Sequence, residues 1–296
     1  MESTPVTSTP ASLPEPDQRS VEVAPGVHLN IRHHPGRGTP FLLVHGLSSN
    51  ARLWDVVAAH LSDAGHAAYA VDLRSHGESS SPPDGYDTAT AAADLASVCE
   101  RLGLDRPVVV GQSWGGNVVV RLAARRPDLV RALALVDGGW IDMSAFGTWA
   151  AAETALRPPD IDGRPASEIR GYLVREHVDW SLDAIEATLA NLKVEPDGTV
   201  TRRLSIEQHM KIVRSMWDDP PWPDYPAITV PVLLMPAVPD PARADDTARR
   251  RQAAIERAAL ALVNARVRPY VGGDHDLHAQ HPAEVAADLL ALAAET

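Results

Sequence analysis

The sequence predicts an α/β fold, a mostly parallel central sheet with helices on both faces. Two patterns carry that expectation. Short apolar runs at Phe41 to Val44, Ala68 to Val71, Val108 to Val110 and Ala132 to Val136 read as buried strands, and helix-length segments such as Arg52 to Ala64 and Ala89 to Leu102 separate them. The 296 residues, 45% hydrophobic and 22% charged, are ample for one large packed core and unlike a disordered chain or a fibre.

Taken in order, residues 1–20 are dominated by Ser, Thr, Pro and Glu without apolar periodicity, and are expected to form a flexible tail. Val21 to Val23 and Val27 to Ile31 flank the turn signal Pro25-Gly26 and read as an edge hairpin. Residues 138–225 break the rhythm, offering helical stretches (Ala166 to Val178, Ser181 to Leu192, Leu204 to Trp217) and no convincing buried strand. The rhythm resumes with the strand Val230 to Met235, a helix from about Thr247 to Leu262, the strand Arg266 to Val271 and a helix from Pro282 to Ala294. The expected organisation is a core of residues 21–137 and 226–296, with residues 138–225 as a helical cap inserted after the sixth strand.

With 27 basic against 39 acidic side chains, the net charge of −12 would repel a phosphate backbone, so nucleic acid is not expected as a partner. One cysteine, Cys99, excludes an intramolecular disulfide and a four-thiolate metal site, and fits a cytoplasmic location. No secretory leader or run of about 18 apolar residues is evident, so a soluble, unprocessed chain with no membrane partner is expected. Oligomeric state is not legible.

The strongest chemical signal is Gly111-Gln112-Ser113-Trp114-Gly115, a G-x-S-x-G pentapeptide lying between a buried strand and an amphipathic helix. That context is what a nucleophile elbow needs: a serine at the tip of a strained turn, glycines where a Cβ would clash, and the Trp114 N–H at a helix N-terminus facing a developing oxyanion. Further motifs stand at other strand ends: Val44-His45-Gly46-Leu47-Ser48, Asp72-Leu73-Arg74-Ser75-His76-Gly77-Glu78-Ser79 and Gly272-Gly273-Asp274-His275. In this order the four motifs resemble those of the α/β-hydrolase superfamily, and the resemblance spans residues 21–296.

That resemblance implies the α/β-hydrolase fold and a role for each motif. The Leu47 amide would supply a second oxyanion-hole donor beside Trp114. His45 and the Asp72, Arg74 and His76 cluster would brace loops. His275, between the final strand and the last helix, would be the general base, with His278 and His281 close behind it. The acid has two candidate places: Asp137 at the end of the sixth strand, before Gly138-Gly139, which is preferred, or Asp240, where the usual Gly-x-x-Asp lead has become Ala237-Val238-Pro239-Asp240. Asp274-His275-Asp276-Leu277-His278 also contains metal-ligand residue types, but no second ligand set accompanies it, so neither a metal nor an organic cofactor is expected.

The implied chemistry is acyl transfer through Ser113 onto water. A serine in place of an aspartate nucleophile disfavours the dehalogenase and epoxide hydrolase branches and leaves carbonyl substrates. Trp140, Trp149, Trp180, Trp217 and Trp222, with Met143, Phe146, Met210 and Met216, fall in the presumed cap. They suggest a pocket for a small to medium hydrophobic or aromatic ester or lactone, bound chiefly by Trp140, Trp149, Trp180, Trp217, Met143 and Met216. Trp114 is placed in the site as the neighbour of the nucleophile, and Glu207 and His209 are further lining candidates. No Arg or Lys cluster in the cap argues for an anionic substrate. Carbon–carbon bond hydrolysis, acyl transfer and a receptor-like binding role use the same residues and stay open.

Overall fold

The computed structural model describes residues 15–239 and 245–296. In chain order the strands are β1 (Asp17–Ala24), β2 (Val27–His34), β3 (Gly38–Val44), β4 (His66–Val71), β5 (Val108–Gln112), β6 (Ala132–Val136), β7 (Leu192–Val194), β8 (Val200–Arg202), β9 (Val232–Met235), β10 (Ala237–Val238), β11 (Ala265–Val267) and β12 (Tyr270–Val271). The helices are α1 (Asp55–Asp63), α2 (Thr88–Leu102), α3 (Trp114–Arg125), α4 (Trp149–Leu156), α5 (Ala166–Glu176), α6 (Leu182–Leu189), α7 (Ile206–Asp218), α8 (Asp246–Ala261), α9 (Leu277–Gln280) and α10 (Pro282–Ala294). An eight-stranded sheet in the order β1-β2-β4-β3-β5-β6-β9-β11 forms the middle layer. It is antiparallel at β1–β2 and β2–β4 and parallel from β4 onward.

The pleat divides the apolar residues between two cores. Leu42, Val44, Val109 and Leu133 join one cluster with residues of α2 and α3, while Phe41, Leu43, Val108 and Val110 join the other with residues of α1 and α10. Both faces are therefore covered, which is why these strands read as continuous apolar runs. The sequence order reverses about β3, with β4 on one side and β5 on the other, so the carboxyl ends of β3, β5 and β6 open at a topological switch point.

The structure departs from the sequence expectation in four places. Of the expected tail, residues 1–14 lie outside the described residues, while Asp17 to Ser20 already pair with β2; they are exposed on both faces of an edge strand and so lack apolar alternation. The strand expected from Val230 begins at Val232, after Pro231, which has no N–H for the ladder. The single strand expected over 266–271 is split at Arg268-Pro269: β11 stays in the main sheet and β12 pairs with β10 in a separate two-stranded parallel sheet. The segment between β6 and β9, expected to be wholly helical, contains the antiparallel hairpin β7–β8, turned through Pro196-Asp197-Gly198 with Gly198 at φ 82°. Among the described residues no helix is long and apolar enough to cross a membrane.

Helix α3 ties both ends of that inserted segment to the sheet. At the entry, Asn117 Nδ2 donates to the Ile141 carbonyl (3.0 Å) and its Oδ1 accepts the Ile141 N–H (3.3 Å). At the exit, Arg121 pairs with Asp219 (2.7 Å) and with the buried Asp224, and the Tyr225 hydroxyl donates to the Gly139 carbonyl (2.6 Å). Arg121→Ala would strand the Asp224 carboxylate in a buried site, so thermal or urea unfolding should show a loss of about 3 kcal/mol; a loss below about 1 kcal/mol would mean that the exit is held by other contacts.

Candidate active site

Ser113 stands between β5 and α3 with φ 53° and ψ −125°, a region that side-chain-bearing residues rarely occupy. The ladder holds it there: its N–H donates to the Val136 carbonyl (3.1 Å), and its carbonyl accepts from Gly116 (2.9 Å). The flanking glycines are required by close approach. A Cβ on Gly111 would lie 2.4 Å from the Gly115 carbonyl oxygen, and one on Gly115 would lie 2.4 Å from that of His45. Cys99 is no rival nucleophile, since burial pushes its thiol up to about 12.

Asp137 follows β6 with φ 44°, and its carboxylate is fully enclosed. Oδ1 accepts the Ala237 N–H (3.1 Å), and Oδ2 lies 2.6 Å from His275 Nδ1. The His275 carbonyl accepts from Gln112 Nε2 (3.2 Å), joining the loop before α9 to the residue preceding Ser113. Loss of water around the imidazole holds it below the ordinary histidine range; Asp276 opposes this shift and Arg251 adds to it. The side chain is still 47% exposed, so the ring keeps contact with solvent. A neutral ring facing a carboxylate through Nδ1 carries its proton there and leaves Nε2 as an acceptor. The other expected candidates lie apart: His278 is buried with Trp54 (ring centroids 4.2 Å), His281 is near Tyr270 (5.9 Å), and Asp240 falls outside the described residues.

The loops named by the other motifs are braced by two buried neutral histidines. His45 Nδ1 donates to the Gly46 carbonyl (2.7 Å), and Nε2 accepts the Leu73 N–H (3.0 Å). His76 is built alike: Nδ1 donates to the Arg74 carbonyl (2.8 Å), and Nε2 accepts the Ser48 N–H (3.2 Å). Burial lowers their pKa values to about 4 and about 3, which keeps each ring neutral with an accepting nitrogen. Each loop is thus fastened by the other's imidazole. Asp72 holds the same corner, accepting the Ala51 N–H (2.7 Å), Asn30 Nδ2 (2.9 Å) and the Glu78 N–H (3.1 Å). A Cβ on Gly46 would lie 2.7 Å from Ser113 Cβ, so this bracing sets the chain before Leu47 against the serine.

The Leu47 side chain packs against the core, as does Trp114, whose Nε1 donates to Thr88 Oγ1 (3.1 Å). The Trp114 indole is therefore turned into α2, a correction to its expected place in the site; only its backbone stands beside Ser113. A cleft of about 690 Å³ contains both His275 and Asp137. Of the six residues expected to bind substrate, Trp140 and Met143 line it, with Phe146 and Trp222. The other four lie elsewhere. Trp149 packs on Trp217 (6.1 Å), Met216 is in the core, and Trp180 stacks on His177 (3.9 Å) among Leu53, Ile185 and Ala279. These four bind helices to one another, the usual fate of large rings on amphipathic helices. Glu207 is exposed, and His209 hydrogen-bonds Ser48 Oγ (2.9 Å).

Sequence reasoning missed the opposite wall. Helix α8 presents Arg250, Arg251 and Arg257 to the cleft, and the Arg251 guanidinium pairs with Asp137. Positions 250, 254 and 257 form one helical face, a signal in the sequence that groups Arg250 with Arg257. Also unforeseen, His177 Nδ1 meets Asp274 Oδ2 (2.9 Å) and the Asp274 N–H donates to Gln280 Oε1 (2.6 Å), which fastens the inserted segment to the loop carrying His275.

The fold and these strand-end motifs are those of the α/β hydrolases. A family model described as alpha/beta hydrolase fold matches residues 39–160. It is 36% identical over 111 residues to 2-(acetamidomethylene)succinate hydrolase of Mesorhizobium japonicum, covering 38% of this chain and 39% of that protein. It is 34% identical over 116 residues to bifunctional epoxide hydrolase 2 of Sus scrofa, covering 38% and 21%. The matched stretch is thus well under half the length of these relatives. In three dimensions, the crystal structure of E-2-(acetamidomethylene)succinate hydrolase superposes with a TM-score of 0.77 at 25% identity, covering 93% of this chain and 98% of that one.

The buried histidines make stability depend on pH. His45, His76 and His278 take up protons near 6.5 when unfolded but only at about 4, 3 and 3 when folded. Their contribution is complete above pH 6.5 and is lost as pH falls from there toward 4, by about 1.4 kcal/mol per pH unit for each ring. Urea unfolding between pH 6.5 and 4 should show this fall, and His278→Phe should reduce its slope by one ring's share; equal slopes in the two proteins would contradict it.

Proposed function

We propose that this protein is a cofactor-free serine hydrolase that cleaves an ester or lactone of a small to medium apolar or aromatic compound through an acyl-enzyme on Ser113. The observation that carries this reading is the 2.6 Å pairing of His275 Nδ1 with Asp137 Oδ2, joined by Gln112 to a serine held at φ 53°. In this scheme His275 Nε2 takes the Ser113 Oγ proton as Oγ attacks the carbonyl carbon. The N–H groups of Leu47 and Trp114 receive the oxyanion, and Asp137 steadies the imidazolium, which returns the proton to the departing alkoxide. Water then attacks the acyl group by the same route, regenerating Ser113. Residues 138–225 serve as the cap, and Trp140, Met143, Phe146 and Trp222 bound the apolar part of the substrate.

A fluorophosphonate probe should label the protein once, and Ser113→Ala should abolish the label. Against p-nitrophenyl esters and aromatic lactones, Asp137→Asn should lower kcat by about 10⁴-fold, the usual cost of losing the carboxylate that orients the base. Unlabelled, folded protein would refute the reading. Labelling without turnover of any ester or lactone would move it to carbon–carbon bond hydrolysis or acyl transfer.

A further inference from the structure

We infer that the cleft beside His275 takes a substrate whose apolar body carries a carboxylate, received by Arg250, Arg251 and Arg257 of α8. This rests on the serine hydrolase reading for the place of the scissile carbonyl and adds the charge of the substrate.

The charge balance of the cleft is the first ground. The chain carries a net −12, yet among the described residues three guanidinium groups line this cleft against two carboxylates, Asp137 and Asp142. Both carboxylates already have donors. Asp142 accepts Trp222 Nε1 (2.8 Å) and the Ser144 N–H (2.9 Å); Asp137 accepts the Ala237 N–H and meets both His275 and Arg251. The cationic capacity left over faces the open space. Arg250 makes no hydrogen bond or ion pair with any described side chain. Arg257 lies over the Trp222 ring (4.1 Å), a cation–π contact that holds this guanidinium at the cleft wall, where its charge also helps to lower the Asp142 pKa.

The sharing of Asp137 is the second ground. Its Oδ2 is the partner of both His275 and Arg251, so one oxygen serves two groups. Arg251 is partly buried, and loss of water disfavours its charge. A bound carboxylate offers this guanidinium a second acceptor and leaves Oδ2 to the imidazole. Arg251 is therefore a positioning residue as well as an anion ligand. Across the cleft, Trp140, Met143 and Phe146 supply the apolar wall for the body of the same molecule. The cap itself carries no Arg or Lys cluster that argues for an anionic substrate; these arginines come from α8.

The test compares hydrogen 4-nitrophenyl glutarate with the neutral 4-nitrophenyl valerate, and, on Ser113→Ala protein, calorimetric binding of 3-phenylpropionate with that of 3-phenylpropanamide, all at low salt. The anionic member of each pair should be favoured at least tenfold, in kcat/KM and in Kd. Arg250→Gln should reduce both ratios by about tenfold, and Arg250→Lys should keep part of the preference. Ratios near one in the unaltered site, or ratios unmoved when Arg250 and Arg257 are both changed to Gln, overturn the inference. Equal hydrolysis of both esters with equal binding removes the anion site and keeps the hydrolase. Tenfold better carboxylate binding in a protein that hydrolyses neither ester and takes no fluorophosphonate keeps the anion site and removes the hydrolase.

Discussion

The site depends on one constraint, the parallel register of β5 and β6. Gln112 pairs with Val136 at the end of the ladder, and the next residue on each strand, Ser113 and Asp137, turns into positive φ without being glycine. Each such turn costs on the order of 1–3 kcal/mol, so neither would persist on an isolated strand. They persist because the Ser113 N–H is bound to Val136 and the Asp137 N–H to Met235 of β9 (2.9 Å), inside a sheet whose inner residues are completely buried. The strain is distributed over three strands and offset by the two cores, and it yields two side chains that leave the sheet at the same edge.

The second level of order is electrostatic silence around that edge. His45 and His76 each need a donating and an accepting nitrogen at once, which only neutral imidazole provides. Burial secures that state far more firmly than ordinary histidine would. The consequence is a loop before Ser113 that two uncharged imidazoles fasten by hydrogen bonds. The charged groups, Asp137 and the arginines of α8, are concentrated instead on the side of His275. A positive charge there would hinder protonation of the imidazole, and the enclosed Asp137 carboxylate opposes that hindrance through a direct hydrogen bond.

How much of this was legible follows from how local each signal is. The elbow at Ser113, the strand-end aspartate at 137 and the loop histidine at 275 are announced by residues within five positions of themselves, because glycine placement and strand ends are local properties. The fold was legible for the same reason: continuous apolar runs report burial on both faces. The split at Pro269 and the Asp-Gly turn of β7–β8 were legible in principle, since each rests on one backbone rule. Which aromatic rings face a cleft was not. Trp180 and Trp140 are equally apolar in sequence, and only the packing of α5 and α6 against the residues before α1 decides that one becomes mortar and the other a wall.

The arginines of α8 mark the deepest limit of sequence reading, and they also clarify the choice of acid. Helix α8 lies more than a hundred residues beyond Asp137, and its charged face looks like any solvated helix surface until β9 and β11 set it beside β6. A net negative chain places acidic residues widely, so finding a carboxylate near a histidine carries little weight by itself. Asp137 differs from such a residue in being fully enclosed while holding donors from three directions: the Ala237 amide, the His275 imidazole and the Arg251 guanidinium. A buried carboxylate with that coordination has its lost hydration replaced by three donors. Enclosure with complete satisfaction, more than proximity, is what would suit Asp137 to the orienting role proposed for it.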